Sequence, residues 1–480
     1  MKNQMIKYTL VLAIILTGFS SCEKSFLELD PKGKLIAKNI GDYDLMLNND
    51  AMTVNADGQI LMGDETISID PYYTSATARE QRLFRWDDVV YNPNEDAREM
   101  TDLIKQLYFY NKVITEVPDA VGGTEQQKNK LIGEAKLNRA WIYFMLTNYY
   151  GKPYAVSTAG QDLSFPIITA ADVTATSFKR ATVQEVYDFI ISDLENAIQH
   201  LPVDAVGRTR GFKAAAEGLL GKVYVFIGRY ADGLVQFNNA LSHLPSNLSV
   251  RLYDYNVTMT TNGPWGYNPA TTPLRSLSGP PIISEYEEVL MPKRLLSFYN
   301  STNAFALLTK KAADLYTTST DQRKKIFTTG PSGSLGPFAG GILRRNSGLN
   351  ICIGLTMPDI YLLRAECKAR TNDVAGAKAD LETLRKNRMS ASDATVNITD
   401  ATAMVKYIIE ERIREFALQG YRWFDMRRLS VDPIFAGTTY THSYVKTNGE
   451  VTVFTLRPER FVMRFPEKVM NANPGMLNNP

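Results

Sequence analysis

Three cysteines, three histidines and four tryptophans are few for a chain of 480 residues, and the scarcity closes off several chemistries. With Cys22 at the end of an N-terminal apolar run, only Cys352 and Cys367 remain, at a spacing that suits neither a disulfide framework nor a metal or redox motif. Both read as buried free thiols. His200, His243 and His442 stand singly, so neither a zinc cluster nor a Ser-His-Asp constellation can be assembled from neighbouring residues. Each reads as structural or solvent-facing, and no metal or cofactor is expected. An excess of one charge is lacking as well: 53 Lys and Arg face 51 Asp and Glu, and a leader ending before Cys22 would remove Lys2 and Lys7 and leave the two signs equal. That balance carries no electrostatic footprint for nucleic acid. Beyond the N-terminus no apolar run reaches the roughly 20 residues that a membrane-crossing helix needs.

What is present begins with that N-terminus. In MKNQMIKYTLVLAIILTGFSSC, Lys2 and Lys7 precede an apolar core from Tyr8 to Phe19, and Ser20-Ser21-Cys22 forms a small-residue cleavage site. The pattern predicts a lipoprotein signal over residues 1–21 and acylation, as by palmitate, of Cys22. Acyl chains contribute about 0.8 kcal/mol per buried CH₂, so several of them anchor a chain that does not span.

Apolar residues then recur at helical spacing over about 101–117, 125–150 and 183–201, the last opened by a Thr182–Glu185 capping box. Between residues 217 and 245, Leu220-Gly221, Tyr224, Gly233, Phe237, Ala240 and Pro245 fall at tetratricopeptide spacings. Ala365, Ala377, Leu381 and Leu384 repeat them at lower fidelity, which predicts antiparallel helix pairs stacked into a short solenoid. Residues 253–300 and 328–350 are rich in Gly, Pro, Asn, Ser and Tyr and read as long ordered loops. Alternation over 450–456, with 440–446 across Thr447-Asn448-Gly449, reads as a small hairpin. One amphipathic helix is expected over 405–428, with Glu411, Glu415, Arg422 and Asp425 on a single stripe as a structural ion-pair network. Trp86, Trp141 and Trp423 read as core.

These features together resemble the SusD/RagB family of outer-membrane nutrient-binding lipoproteins. Phe26-Leu27-Glu28-Leu29-Asp30-Pro31 is similar to the segment after the lipidated cysteine in that family. Glu134-Ala135, Arg139-Ala140, Tyr143-Phe144 and Tyr150-Gly151 resemble its first helix block, and Arg180, Val186-Tyr187, Asp193-Leu194 and Leu201-Pro202 its next. Glu411-Arg412, Glu415, Gly420, Arg422, Asp425 and Arg428 resemble its charged signature, and Phe465-Pro466, Asn473-Pro474 and Asn478 its closing motif. Gln419 stands where an acidic residue is usual, and Ile104 where an aromatic is common. The resemblance implies a mainly α, SusD-like fold with tetratricopeptide-like helix pairs, long ordered loops and a small β-hairpin element. It implies one domain over 22–480, its N-terminal part about 22–250 and its C-terminal part about 300–480, each with a repeat-like pair. It further implies a non-catalytic lipoprotein at the cell surface that captures oligosaccharide, or in some members peptide, for a SusC-like TonB-dependent transporter.

Sugars offer apolar C–H faces and polar edges, so aromatic platforms beside amides or carboxylates are the chemistry to seek. Trp265, Tyr267 and Asn268 lie among Gly and Pro residues, which predicts display on an ordered loop. Asp64, Tyr72 and Tyr73 occupy a second loop that the resemblance places near the ligand. Two other readings stay open. Asp64-Glu65 or Glu285, Glu287 and Glu288 could supply the two carboxylates of a secreted glycoside hydrolase, and the repeats could form a scaffold that binds no small ligand.

Overall fold

A computed structural model describes residues 37–265, 285–296, 305–330, 338–345 and 350–480. Among the described residues nine long helices carry the body: α1 (Arg98–Glu116), α2 (Glu125–Tyr150), α3 (Val183–His200), α4 (Lys213–Phe226), α5 (Tyr230–Ser242), α6 (Met357–Arg370), α7 (Val374–Lys386), α8 (Ala401–Phe416) and α9 (Tyr421–Leu429). Their starts follow from local chemistry. Thr124 with Gln127 and Thr182 with Glu185 form reciprocal capping boxes, each cap being worth about 1 kcal/mol. Each helix packs on the next, and α5 packs on α6 although residues 243–356 lie between them, so the stack is continuous. The expected mainly α architecture of stacked helix pairs is what the residues build.

The sequence signature of the repeat has a direct steric meaning. A Cβ on Gly221 would lie 2.8 Å from the Phe237 ring, so the missing side chain is what lets α4 and α5 close on each other. From Leu131 onward α2 is buried almost all round, including Trp141, Tyr143, Tyr149 and Tyr150, as a helix in the middle of a core must be. Trp86 and Trp423 are buried as well, and Cys367 is fully buried.

Eleven short strands are described beside the helices. β10 (Thr441–Val445) and β11 (Val451–Thr455) form the expected hairpin, with Val445 opposite Val451. The hairpin does not stand alone: β10 also pairs in parallel with β2 (Thr66–Ile69), and β2 pairs antiparallel with β5 (Leu307–Leu308). β1 (Val54–Asn55), β4 (Arg294–Leu296) and β8 (Asn350–Cys352) make a second sheet. β3 (Val289–Met291) pairs with β9 (Leu355–Thr356), and β6 (Phe327–Thr328) with β7 (Arg344–Arg345). The stretches 253–300 and 328–350 therefore contain strands of two or three residues where unbroken loops were expected, because pairs that short leave no periodicity to read.

The single helix expected over 405–428 is two helices. α8 ends at Phe416 and α9 begins at Tyr421, with Leu418 at φ 56° and Gly420 at φ 87° between them. The break changes the phase of the charges. Glu411 pairs with Arg323, Arg385 and Arg414, and Glu415 with Arg323 and Arg388. Asp425 pairs with Arg412 and Arg428, Arg412 also with Asp359, and Arg428 also with Glu366. Arg422 leaves the network for Asp64. The network is structural as expected, but most of its partners come from other elements.

Burial of Asp425 works against ionisation. Arg412 and Arg428 outweigh it and bring its pKa down to about 2. His442 is fully buried between the Phe84 and Trp86 rings, at 4.4 and 3.8 Å, with its two nitrogens facing the Phe84 and Gly63 carbonyls. His243 lies 2.9 Å from the Glu217 carboxylate, and His200 beside the Asn196 carbonyl.

Candidate functional site

The turn after β2 treats its two tyrosines oppositely. Tyr73 points inward: it stacks on Tyr444 at 4.0 Å, meets Phe84 edge-on at 5.9 Å, and its hydroxyl accepts from Arg85 Nη1 at 2.9 Å. Asp70 accepts from the Tyr444 hydroxyl at 2.7 Å and from the Thr447 N–H at 3.1 Å, which ties the turn to the hairpin. Tyr72 remains half-buried and joins Ile67, Ile69 and Phe338 around the buried Leu307 and Ile342. This apolar facet holds two partly exposed aromatic rings, with the exposed Thr74 and Ser75 on the same turn. It has the ring faces and polar margin that a sugar requires. The structure thus separates the sequence-derived candidates: Tyr72 is available and Tyr73 anchors it.

Asp64 lies at the other end of β2, separated from Tyr72 by about 13 Å of strand at ~3.3 Å per residue. Arg422 donates to it twice, Nε to Oδ1 at 2.6 Å and Nη2 to Oδ2 at 3.1 Å. Burial presses the carboxyl upward, but the Arg422 guanidinium and its hydrogen bonds prevail and hold it below its ordinary value. Glu65, beside it, is 3% exposed. One of its oxygens accepts the Leu418 N–H at 2.9 Å, and burial raises its pKa to about 8 against the opposing pull of that N–H and of Arg422. Both residues line a cleft of about 380 Å³ walled by α8, by the short helix Lys310–Ala313 and by residues 429–440.

Trp265 was expected on display and is instead 4% exposed. Its indole stacks on Tyr286 at 6.2 Å and meets Tyr253 and Tyr255 at 5.2 Å each, while the Trp265 backbone N–H donates to the Thr258 carbonyl at 3.1 Å. The short helix Tyr255–Thr258 and these rings supply enough apolar contact to draw the indole in, which overrides the opening effect of its Gly and Pro neighbours. Tyr267, Asn268 and Cys22 lie outside the described residues. Glu288 accepts from Arg388 at 2.8 Å and from the Tyr253 N–H at 2.9 Å, and Glu287 pairs with Arg251 at 2.6 Å. Those two carboxylates are held by cations and backbone. Phe338 was missed because its only sequence context is a glycine-rich stretch, and Arg422 because its partner lies 358 residues away.

Among the described residues no helix is long and apolar enough to cross a membrane, and no His, Cys, Asp and Glu group could hold a metal ion. Residues 26–225 match a family model described as starch-binding associating with outer membrane, and residues 357–480 match the SusD family model. Among solved structures, a sugar-binding protein so described from Bacteroides vulgatus is 21% identical with a TM-score of 0.69, over 93% of this chain and 99% of that one. A SusD superfamily protein from Bacteroides thetaiotaomicron is 18% identical with a TM-score of 0.69, over 92% and 100%. A laminarin-binding SusD-like protein is 17% identical with a TM-score of 0.62, over 92% and 99%. At these identities the likeness establishes the SusD-like fold. No curated protein matches the chain.

Proposed function

This chain belongs to the SusD/RagB family, and on that premise we propose that it is a lipid-anchored, outer-membrane binding protein of the cell surface. It captures oligosaccharide and passes it to a SusC-like TonB-dependent transporter without altering it. The half-exposed aromatic facet of Tyr72 and Phe338, carried on turns at the sheet edge while Tyr73 locks the turn from below, is the observation that supports a glycan face. Tyr72 contacts the sugar ring, with Tyr267 and Asn268 as further candidate contacts, while Tyr73 holds the Tyr72 turn in place. Acyl chains on Cys22 keep the binder beside the transporter, where a high effective concentration makes weak affinity sufficient.

The test is calorimetric titration of the mature protein with laminarin and starch oligosaccharides and with peptides. Tyr72→Ala is expected to weaken the oligosaccharide that binds wild type about tenfold, ~1.4 kcal/mol. Unchanged affinity would remove Tyr72 from the site, and binding of peptides alone would make the chain a RagB-like peptide binder.

A further inference from the structure

Two residues that line the 380 Å³ cleft each carry a buried polar atom without a hydrogen-bond partner: Glu65 Oε2 and Arg422 Nη1. Leaving such groups unsatisfied is costly, so a native cleft with two of them in its lining residues calls for an occupant. The surroundings define its chemistry. The rest of Arg422 is engaged by Asp64, and the other oxygen of Glu65 accepts the Leu418 N–H. The wall is apolar through Ile409, Ile413 and Phe435, and the exposed Lys311 and Lys406 at the rim outnumber Glu410.

We propose that this cleft is a second binding site, distinct from the Tyr72 facet, that takes a small organic carboxylate with an apolar body. The ligand carboxylate accepts from Arg422 Nη1 and from a protonated Glu65 Oε2, the apolar body lies against Ile409, Ile413 and Phe435, and Lys311 and Lys406 favour entry of an anion. Two sources carry that chemistry, an acidic sugar and the terminal carboxylate of a peptide.

The donor role of Glu65 requires its proton. The charged and titratable groups around it are Asp64 and Arg422, the buried Arg345 on β7 and Tyr316, with Lys311 at the rim near Asp64 and His442 beyond. With the carboxyl of Glu65 raised to about 8, it is neutral and donating below that pH and anionic above it. Carboxylate binding therefore weakens as pH rises from 6.5 to 9.

The experiment is ligand-observed NMR and calorimetry on the mature protein with glucuronate, galacturonate and N-acetyl-leucine. Glucose and N-acetyl-leucinamide serve as uncharged controls. At least one carboxylate is expected to bind with its neutral control at least tenfold weaker, and to lose about tenfold between pH 6.5 and 9. Binding by a uronate identifies an acidic sugar as the source, and binding by N-acetyl-leucine a peptide terminus. Glu65→Gln, which keeps a donor at every pH, is expected to abolish the pH dependence, and Lys406→Glu, on the exposed rim, to weaken binding without loss of fold. Absence of binding by all three carboxylates, equal binding of the controls, or an unchanged pH profile in Glu65→Gln would overturn the proposal. Oligosaccharide titration of Glu65→Gln reads the Tyr72 facet separately, so either site can fail alone.

Discussion

Asp425 holds two guanidinium groups at once, Arg412 and Arg428, and all three side chains are buried. Removing one partner of such a cluster leaves uncompensated charge in a low-dielectric interior, at about 3–5 kcal/mol. Asp425→Asn is expected to destabilise by that amount at neutral pH, measured as a shift of the urea midpoint. A carboxyl lowered to about 2 contributes stability that is present above its unfolded pKa near 3.9 and lost as pH falls through 2. The gap between Asp425→Asn and wild type should therefore close over that window. Residue types were readable here and their wiring was not. Glu411, Glu415 and Asp425 could be recognised as structural, yet Arg323, Arg385 and Arg388 enter from distant elements that no local pattern announces. The same holds for Trp265, whose Gly and Pro neighbours argued for exposure while three tyrosines brought together by folding enclose it.

At the level of elements, the hinge between α8 and α9 sets the orientation of the cleft. Leu418 and Gly420 both adopt left-handed backbone, and a Cβ on Gly420 would lie 2.6 Å from Gln59 Cγ. Gln59 is fully buried and accepts from the Tyr149 hydroxyl, so it has little room to yield. Gly420→Ala is expected to cost about 1–3 kcal/mol, read as a lowered urea midpoint, and to weaken carboxylate binding because Arg422 follows the hinge directly. Gly420 was read as part of one continuous helix face, and Leu418 gave no sign of a break either, since nothing about leucine signals positive φ and its N–H is held by the buried Glu65 carboxyl. The long helices were legible because their apolar stripes and caps are local properties. The strands of two or three residues were not, because their pairing is decided by segments hundreds of residues apart.

For the molecule as a whole, one apolar cluster runs from Tyr43 to Phe465, and the charged network joins α4 to α6, α8 and α9 through Lys222, Asp359, Arg412 and Asp425. We expect residues 22–480 to unfold in one cooperative transition, with tryptophan fluorescence and far-ultraviolet circular dichroism giving coincident midpoints in urea. Two separated transitions would divide the chain between α5 and α6. The solenoid was foreseeable because repeat spacing records contacts between neighbours in sequence. Its closure was not, because it depends on residues 477–479. Arg180 donates to the Leu477 carbonyl and the Asn479 amide oxygen, and the Asn479 amide nitrogen donates to the carbonyls of Tyr150 and Met463. The bonds to Arg180 and Tyr150 join positions about 300 residues apart, so this closure forms only when the segment that carries Leu477 and Asn479 folds back onto the end of α2. A chain cut before Leu477 keeps Arg180 bound only to the nearby Ser164, Leu163 and Tyr150 carbonyls, so the fastening between the two ends of the helical stack is lost while its local packing remains.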